Sequence, residues 1–219
     1  MNVVGPLLVV ILGLVVLYAG CGTLLRRLRE ARIERYAFPP ALGAKVRATY
    51  PHLAQHEVEQ VLEALRDYFV ICNRAGRRMV AMPSRAVDVA WHEFILFTRA
   101  YQHFCRRALG GFLHHTPATA MRAPTVAEAG IKRAWRLACW RAGIDRTRPS
   151  ALPPLFALDA ALAIPDGFVY RLDCLAAGTA PQGYCASHIG CAGGCSGGGD
   201  GHGDGAGDGG CGGGGCGGD

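Results

Sequence analysis

Lysine is almost missing from this sequence, and charge of either sign is missing from its start. Of 23 basic residues only Lys45 and Lys132 are lysine, and no Asp, Glu, Lys or Arg precedes Arg26. The net charge of +6 is therefore carried by arginine, and Arg26, Arg27, Arg29, Arg32 and Arg35 cluster directly after an apolar run. Basic charge in that place is a membrane-topology signal, so no nucleic-acid partner is expected. The uncharged start excludes an ordinary cleaved signal peptide, which needs a positive segment ahead of its apolar core. Other absences narrow the chemistry. The ten cysteines contain no C-x-x-C pair, which argues against a defined zinc finger. No glycine loop sits between a strand and a helix with a following Lys, and no serine occupies a nucleophile elbow.

What is there begins with "VVGPLLVVILGLVVLYAG", Val3 to Gly20. About 18–20 apolar residues in a helix cross a hydrocarbon core of roughly 30 Å. Only a helix satisfies the backbone hydrogen bonds of such a segment in lipid, so residues 1–24 are expected to form a single transmembrane anchor. Pro6 falls in the first turn, where its missing N–H matters least. Tyr18 stands where an interfacial anchor would. The arginines that follow put the N-terminus outside and the main domain in the cytoplasm, giving a single-pass protein of the inner membrane. A rival reading takes "LYAGC" as a lipoprotein signal ending at Cys21; the missing charged leader, Tyr18 and the arginine run argue against it. Residues 25–51 form a basic juxtamembrane segment and linker. Thr23 to Arg35 continues the helix along the membrane surface, and Phe38 to Pro51 is linker with turn signals at both ends.

Residues 52–180 carry the foldable domain, and its class is mainly α. Val58, Val61, Leu62, Leu65, Phe69, Ile71 and Cys72 recur at helical spacing, with Gly76 as the stop. Ser84 caps a second helix running to about Leu109, where Gly110 and Gly111 end it. Thr125 and Glu128 fit a capping box opening a third. Pro154–Ala163 is a short helix or packing segment, a turn follows at Pro165-Asp166-Gly167, and "FVYRLD" is a short strand with no partner in view.

The helix from Ser84 holds the chemistry. On a wheel of 100° per residue, Val87, Ala90, Trp91, Phe94, Phe97, Tyr101, Phe104 and Cys105 share an apolar side. Asp88, His92, Ile95, Arg99 and His103 share a narrower stripe. Asp88 and His92 stand i,i+4 and can meet. The pair reads as a carboxylate orienting an imidazole, as two ligands of a divalent metal such as zinc, or as a structural hydrogen bond with Arg99 as third member. "GGFLHHTP" then adds His114 and His115 in a glycine-flanked turn. Neighbours in extended chain point oppositely, so at most one of them joins Asp88 and His92. Three protein ligands with an open position suit catalysis better than structure. Cys105, on the apolar side, reads as a small core residue.

The pattern "PSRAVDVAWHEFILFTRAYQHFC…GGFLHHTP", followed by a Gly/Cys-rich tail, resembles bacterial members of the glycine-rich domain-containing protein group. The resemblance spans Pro83 to Pro117, and its motif residues carry onto Asp88, Trp91, His92, Tyr101 and His115. Plant members have a second histidine two places after the first, where this chain has Phe94. The resemblance implies a site and no particular reaction.

From about Gly190 glycine dominates and hydrophobic residues vanish, so nothing offsets the entropy of ordering the chain, and residues 181–219 are expected to be a disordered tail. Cys185, Cys191, Cys195, Cys211 and Cys216 are expected to stay reduced in the cytoplasm, where such thiols suit soft metals. Two functions remain open. One is a membrane-anchored binding or scaffold module that engages protein partners through its helical domain or tail. The other is a metal-dependent enzyme, of hydrolase type, using Asp88, His92 and His114 or His115.

Overall fold

A computed structural model describes residues 4–76, 78–115, 124–172, 184–185 and 189. Seven α-helices account for most of them: α1 Val4–Glu34, α2 Pro40–Thr49, α3 Gln55–Ala75, α4 Arg85–Leu96, α5 Thr98–Phe104, α6 Pro124–Ala142 and α7 Pro154–Ala161. A π-helical turn, Cys105–Leu109, extends α5. The class is mainly α, as composition and periodicity require.

α1 is one uninterrupted rod with two environments. At 1.5 Å per residue its 31 residues span roughly 46 Å, more than the roughly 30 Å of a hydrocarbon core. Among its described side chains the first two thirds bury nothing: Leu12, Val16 and Leu17 are more than half exposed, and the helix is long and apolar enough to cross a membrane. Its last third is part of the domain. Ile33 is fully buried, Arg32 donates to the carbonyl of Arg107, and Asn73 donates to that of Arg26. Arg141 closes the junction, pairing with Glu34 at 2.7 Å and Asp67 at 2.9 Å.

α3 is the central helix. It buries the apolar positions that its spacing marks, from Val58 to Cys72, except Leu62, which is partly covered, and ends at Gly76 with φ 67°. Glu57 accepts from the Ala54 N–H at its start. Phe69 packs against Phe94 and Phe104, with Tyr36 and Phe38 closing the aromatic cluster.

Several expectations need correction. Phe38 to Pro51 is not all linker: α2 lies within it, Pro40 opening the helix and Leu42 and Val46 fully buried. Proline suits a first turn, so the pair that reads as a breaker is a start signal. The helix from Ser84 does not run straight to Leu109. Phe97 leaves helical geometry (φ −77°, ψ 59°) between α4 and α5, and the last turn widens to π before Gly110 adopts φ 74°. The helix α6 is described from Pro124, and the side chain of Thr125, expected to open a capping box, lies outside what is described; Glu128 pairs with Lys132 at 2.6 Å. The strand at Tyr170–Arg171 has a partner: it pairs in parallel with Tyr184–Cys185. Cys185 is disulfide-bonded, so it is not the free thiol expected. The disorder expected from residue 181 does not hold at the described part of that segment, where Tyr184–Cys185 pairs as a strand and Ile189 packs against the core; Cys191, Cys195, Cys211 and Cys216 lie outside the described residues.

Candidate functional site

Ser84 is the N-cap that its place before the apolar run requires, its hydroxyl accepting from the Val87 N–H at 3.2 Å. The cap is deeper than one side chain. Asp159 of α7, 2% exposed, accepts from the Ser84 hydroxyl at 2.6 Å, the Arg85 N–H at 2.6 Å, the Ala86 N–H at 3.2 Å and the Phe168 N–H at 2.9 Å. A carboxylate at a helix N-terminus satisfies the orphan donors there and faces the positive end of the helix dipole. α4 is thereby fixed, and Asp88 and His92 are fixed with it.

On that helix Asp88 Oδ2 lies 3.6 Å from His92 Nδ1. His115 arrives from the chain beyond Gly110 and Gly111, its Nε2 2.8 Å from Asp88 Oδ1. One ligand atom from each of Asp88, His92 and His115 falls within 4.8 Å of the others. The two imidazoles face each other with ring centres 4.1 Å apart. Asp88 and His115 are largely covered while His92 is half exposed, so the cluster has a wet side.

What holds His115 there is a buried relay. Trp91 Nε1 donates to the Tyr101 hydroxyl at 3.1 Å, and that hydroxyl donates to the carbonyl of Leu113, two residues before His115. The Trp91 ring then meets His115 edge-on at 4.5 Å. Burial, with Cys105 next to it, pushes the Tyr101 phenol above its ordinary value, so it remains a donor. Gly110 permits the turn: φ is positive, and the Arg29 guanidinium occupies the space where a Cβ would stand.

The residues singled out in the sequence separate clearly. Asp88, Trp91, His92, Tyr101 and His115 converge. His114 does not join them; it is exposed and packs against Phe112. Arg99 is displaced by the break at Phe97 and is exposed; among the described residues no ion pair joins it to Asp88. Arg85 takes that place, 3.6 Å from Asp88 and 2.9 Å from Asp166. Sequence reading missed Arg85 and Asp159. Arg85 stands i,i+3 to Asp88, which is a readable signal; Asp159, in an apolar helix, offers none. Cys72 and Cys105 are buried, and burial pushes the Cys72 thiol up to about 12, which leaves no nucleophilic thiolate.

The cluster opens onto a groove of about 1250 Å³. Arg29, Arg78 and Arg85 line it together with Met79, Met82 and Phe112. Comparison of the chain with known proteins gives one family: residues 28–189 match the model of the UCP032817-like family. The chain belongs to that family, which is uncharacterised. No curated protein and no solved structure matches. The match begins inside α1 and covers every residue of the cluster.

Proposed function

We propose that the protein is a membrane-anchored helical binding module whose groove holds a divalent metal on Asp88, His92 and His115. One observation carries the reading: three donors from two separate segments converge within 4.8 Å. Zinc and similar ions accept imidazole and carboxylate together, at bonds of about 2.0–2.2 Å. Tetrahedral ligand atoms are then about 3.4 Å apart, against 2.8 Å between His115 Nε2 and Asp88 Oδ1. An ion enters by replacing the proton between those two atoms and easing them apart by about half an ångström. The test is metal content of the full chain in detergent. Wild type and His114→Ala are expected to hold one more equivalent than His115→Ala or Asp88→Ala, a difference that cancels any metal held by tail cysteines. Equal content in wild type and His115→Ala removes the site.

The groove favours a second, hydrolytic use of the same centre. Three protein ligands leave a position for water, which a bound ion acidifies toward neutrality. Ester or phosphoester hydrolysis that needs the metal and disappears in a folded His115→Ala protein supports this use; hydrolysis that persists excludes it.

For location, the arginines after the apolar segment favour a domain facing the cytoplasm from the inner membrane. The disulfide at Cys185 favours an oxidising compartment instead. The proposal follows the arginines, because charge beside the span directs insertion before any disulfide forms. A C-terminal reporter active only in the cytoplasm is expected to be on. A periplasm-only reporter that lights up reverses the orientation and makes the Cys185 disulfide structural.

A further inference from the structure

We infer that the groove binds the headgroup of an anionic phospholipid, and that Arg29 and Arg78 are the residues that hold its phosphate. The inference rests on the anchoring reading above and adds a ligand to it.

Among the described residues the groove's charges do not cancel. Glu128 is paired with Lys132, and Asp88 with His115 and Arg85. Arg29 and Arg78 also line the groove, and among the described residues neither is in an ion pair. Arg29 is the more telling of the two. It is partly buried and rests against Gly110 rather than extending into water. A guanidinium held partly out of solvent without a carboxylate suits an incoming anion, and its planar fork fits phosphate oxygens. Beside these charges lie Met79, Met82, Leu109 and Phe112, the last half exposed. The site therefore combines uncompensated positive charge with an apolar wall, as an amphiphilic anion requires.

The source of that anion follows from α1. The helix is unbroken from its apolar segment to Glu34, and Arg29 is four residues past Leu25. That is about 6 Å along the axis, so Arg29 sits at the depth of the headgroups next to the span. A phosphate in the adjoining leaflet reaches Arg29 without leaving the bilayer. A soluble phosphate ester would use the same guanidinium but gain nothing from the apolar wall.

Calorimetric titration of the full chain in a neutral detergent separates these cases. Short-chain phosphatidylglycerol is expected to bind at least about tenfold more tightly than either glycerol phosphate or short-chain phosphatidylcholine. The double variant Arg29→Gln, Arg78→Gln should lose about tenfold or more in affinity, and Arg29→Lys, Arg78→Lys should recover most of it. Metal content should stay at the wild-type level in both variants. Equal affinity for glycerol phosphate makes the ligand a soluble anion and overturns the lipid assignment. Equal affinity for phosphatidylcholine, or no loss in the glutamine variant, removes the arginines from the site and overturns the inference. Release of the full chain from membranes by alkaline carbonate would instead sink the anchoring itself, a failure visible without any titration.

Discussion

Two carboxylates serve the same helix, and they differ in how much of their bonding capacity is used. Asp159 receives four donors, from Ser84, Arg85, Ala86 and Phe168, and is buried. Asp88, one turn into α4, receives one short hydrogen bond, from His115; among the described residues its second oxygen has only Arg85 and His92, both at 3.6 Å. Two oxygens accept about four hydrogen bonds. Asp159 is saturated and so can only hold structure. Asp88 has capacity left, on the side facing a groove. A carboxylate's role is thus read from its unused lone pairs rather than from its depth.

Removing the saturated group should have the largest effect. Asp159→Ala removes the carboxylate that accepts from three backbone N–H groups at a helix start and a strand approach. The expected loss is on the order of 3 kcal/mol or more, since each buried orphan costs about 1–3 kcal/mol. Asp159→Asn should fall between, because an amide oxygen accepts but its NH2 cannot. Thermal melts followed by circular dichroism measure both. A melting temperature for Asp159→Ala within a degree or two of wild type would show that water replaces the carboxylate, and the contrast with Asp88 would collapse.

The same distinction applies to thiols. Cys72 lines the groove, yet burial holds it protonated, its value pushed up to about 12; burial pushes Cys139 up to about 11 and raises Cys105. A raised value in the folded state means that folding favours the protonated thiol. The stability this adds is complete below the ordinary thiol value and is lost as pH rises from about 9 toward 12, by at most roughly 1.4 kcal/mol per pH unit for each thiol. Melting temperature should decline over that window, and Cys72→Ala should flatten the decline. A profile that stays level to pH 11 would mean the buried thiols are reached by solvent.

Tyr101 stands between the two kinds of group: it is buried like Asp159 but acts on Asp88's partner. Tyr101→Phe keeps the ring and removes the hydroxyl that joins Trp91 to Leu113. A cost of about 1–2 kcal/mol is expected from the orphaned indole N–H and carbonyl. Metal affinity should fall about tenfold, since His115 loses the bond that fixes its segment, and outer partners of metal ligands carry effects of that size. Lost stability with unchanged affinity would make the relay a packing device only.

How much of this was legible depends on whether the signal was local. Ser84 as cap, Gly76 and Gly110 as stops, the apolar spacing of α3 and the i,i+4 meeting of Asp88 with His92 all follow from neighbours within a turn or two. The sequence also limited the third donor to one of two adjacent histidines; which one depends on a hydroxyl 14 residues earlier, at Tyr101. Asp159 reaches α4 from about 75 residues away, and Tyr170 finds its strand partner at Tyr184. No periodicity carries such pairings. The break at Phe97 is of the same kind: it lets Tyr101 reach both Trp91 and Leu113, a tertiary advantage invisible to a wheel drawn through an unbroken helix.

That break makes the smallest prediction the most discriminating between wheel and structure. On a continuous helix Arg99 shares the stripe of Asp88 and His92 and would complete their cluster. With Phe97 out of helical geometry, Arg99 points to solvent and Arg85 holds the place beside Asp88. Arg99→Gln should therefore leave metal content unchanged and stability within about 0.5 kcal/mol, as for an exposed side chain without partners among the described residues. Arg85→Gln should do slightly more. It removes a half-exposed cation that competes with a metal ion for Asp88, so affinity should rise by up to about threefold while stability drops by less than about 1 kcal/mol. If Arg99→Gln is the variant that alters metal binding, α4 and α5 form one helix in solution, and the relay from Trp91 through Tyr101 to Leu113 cannot exist as described.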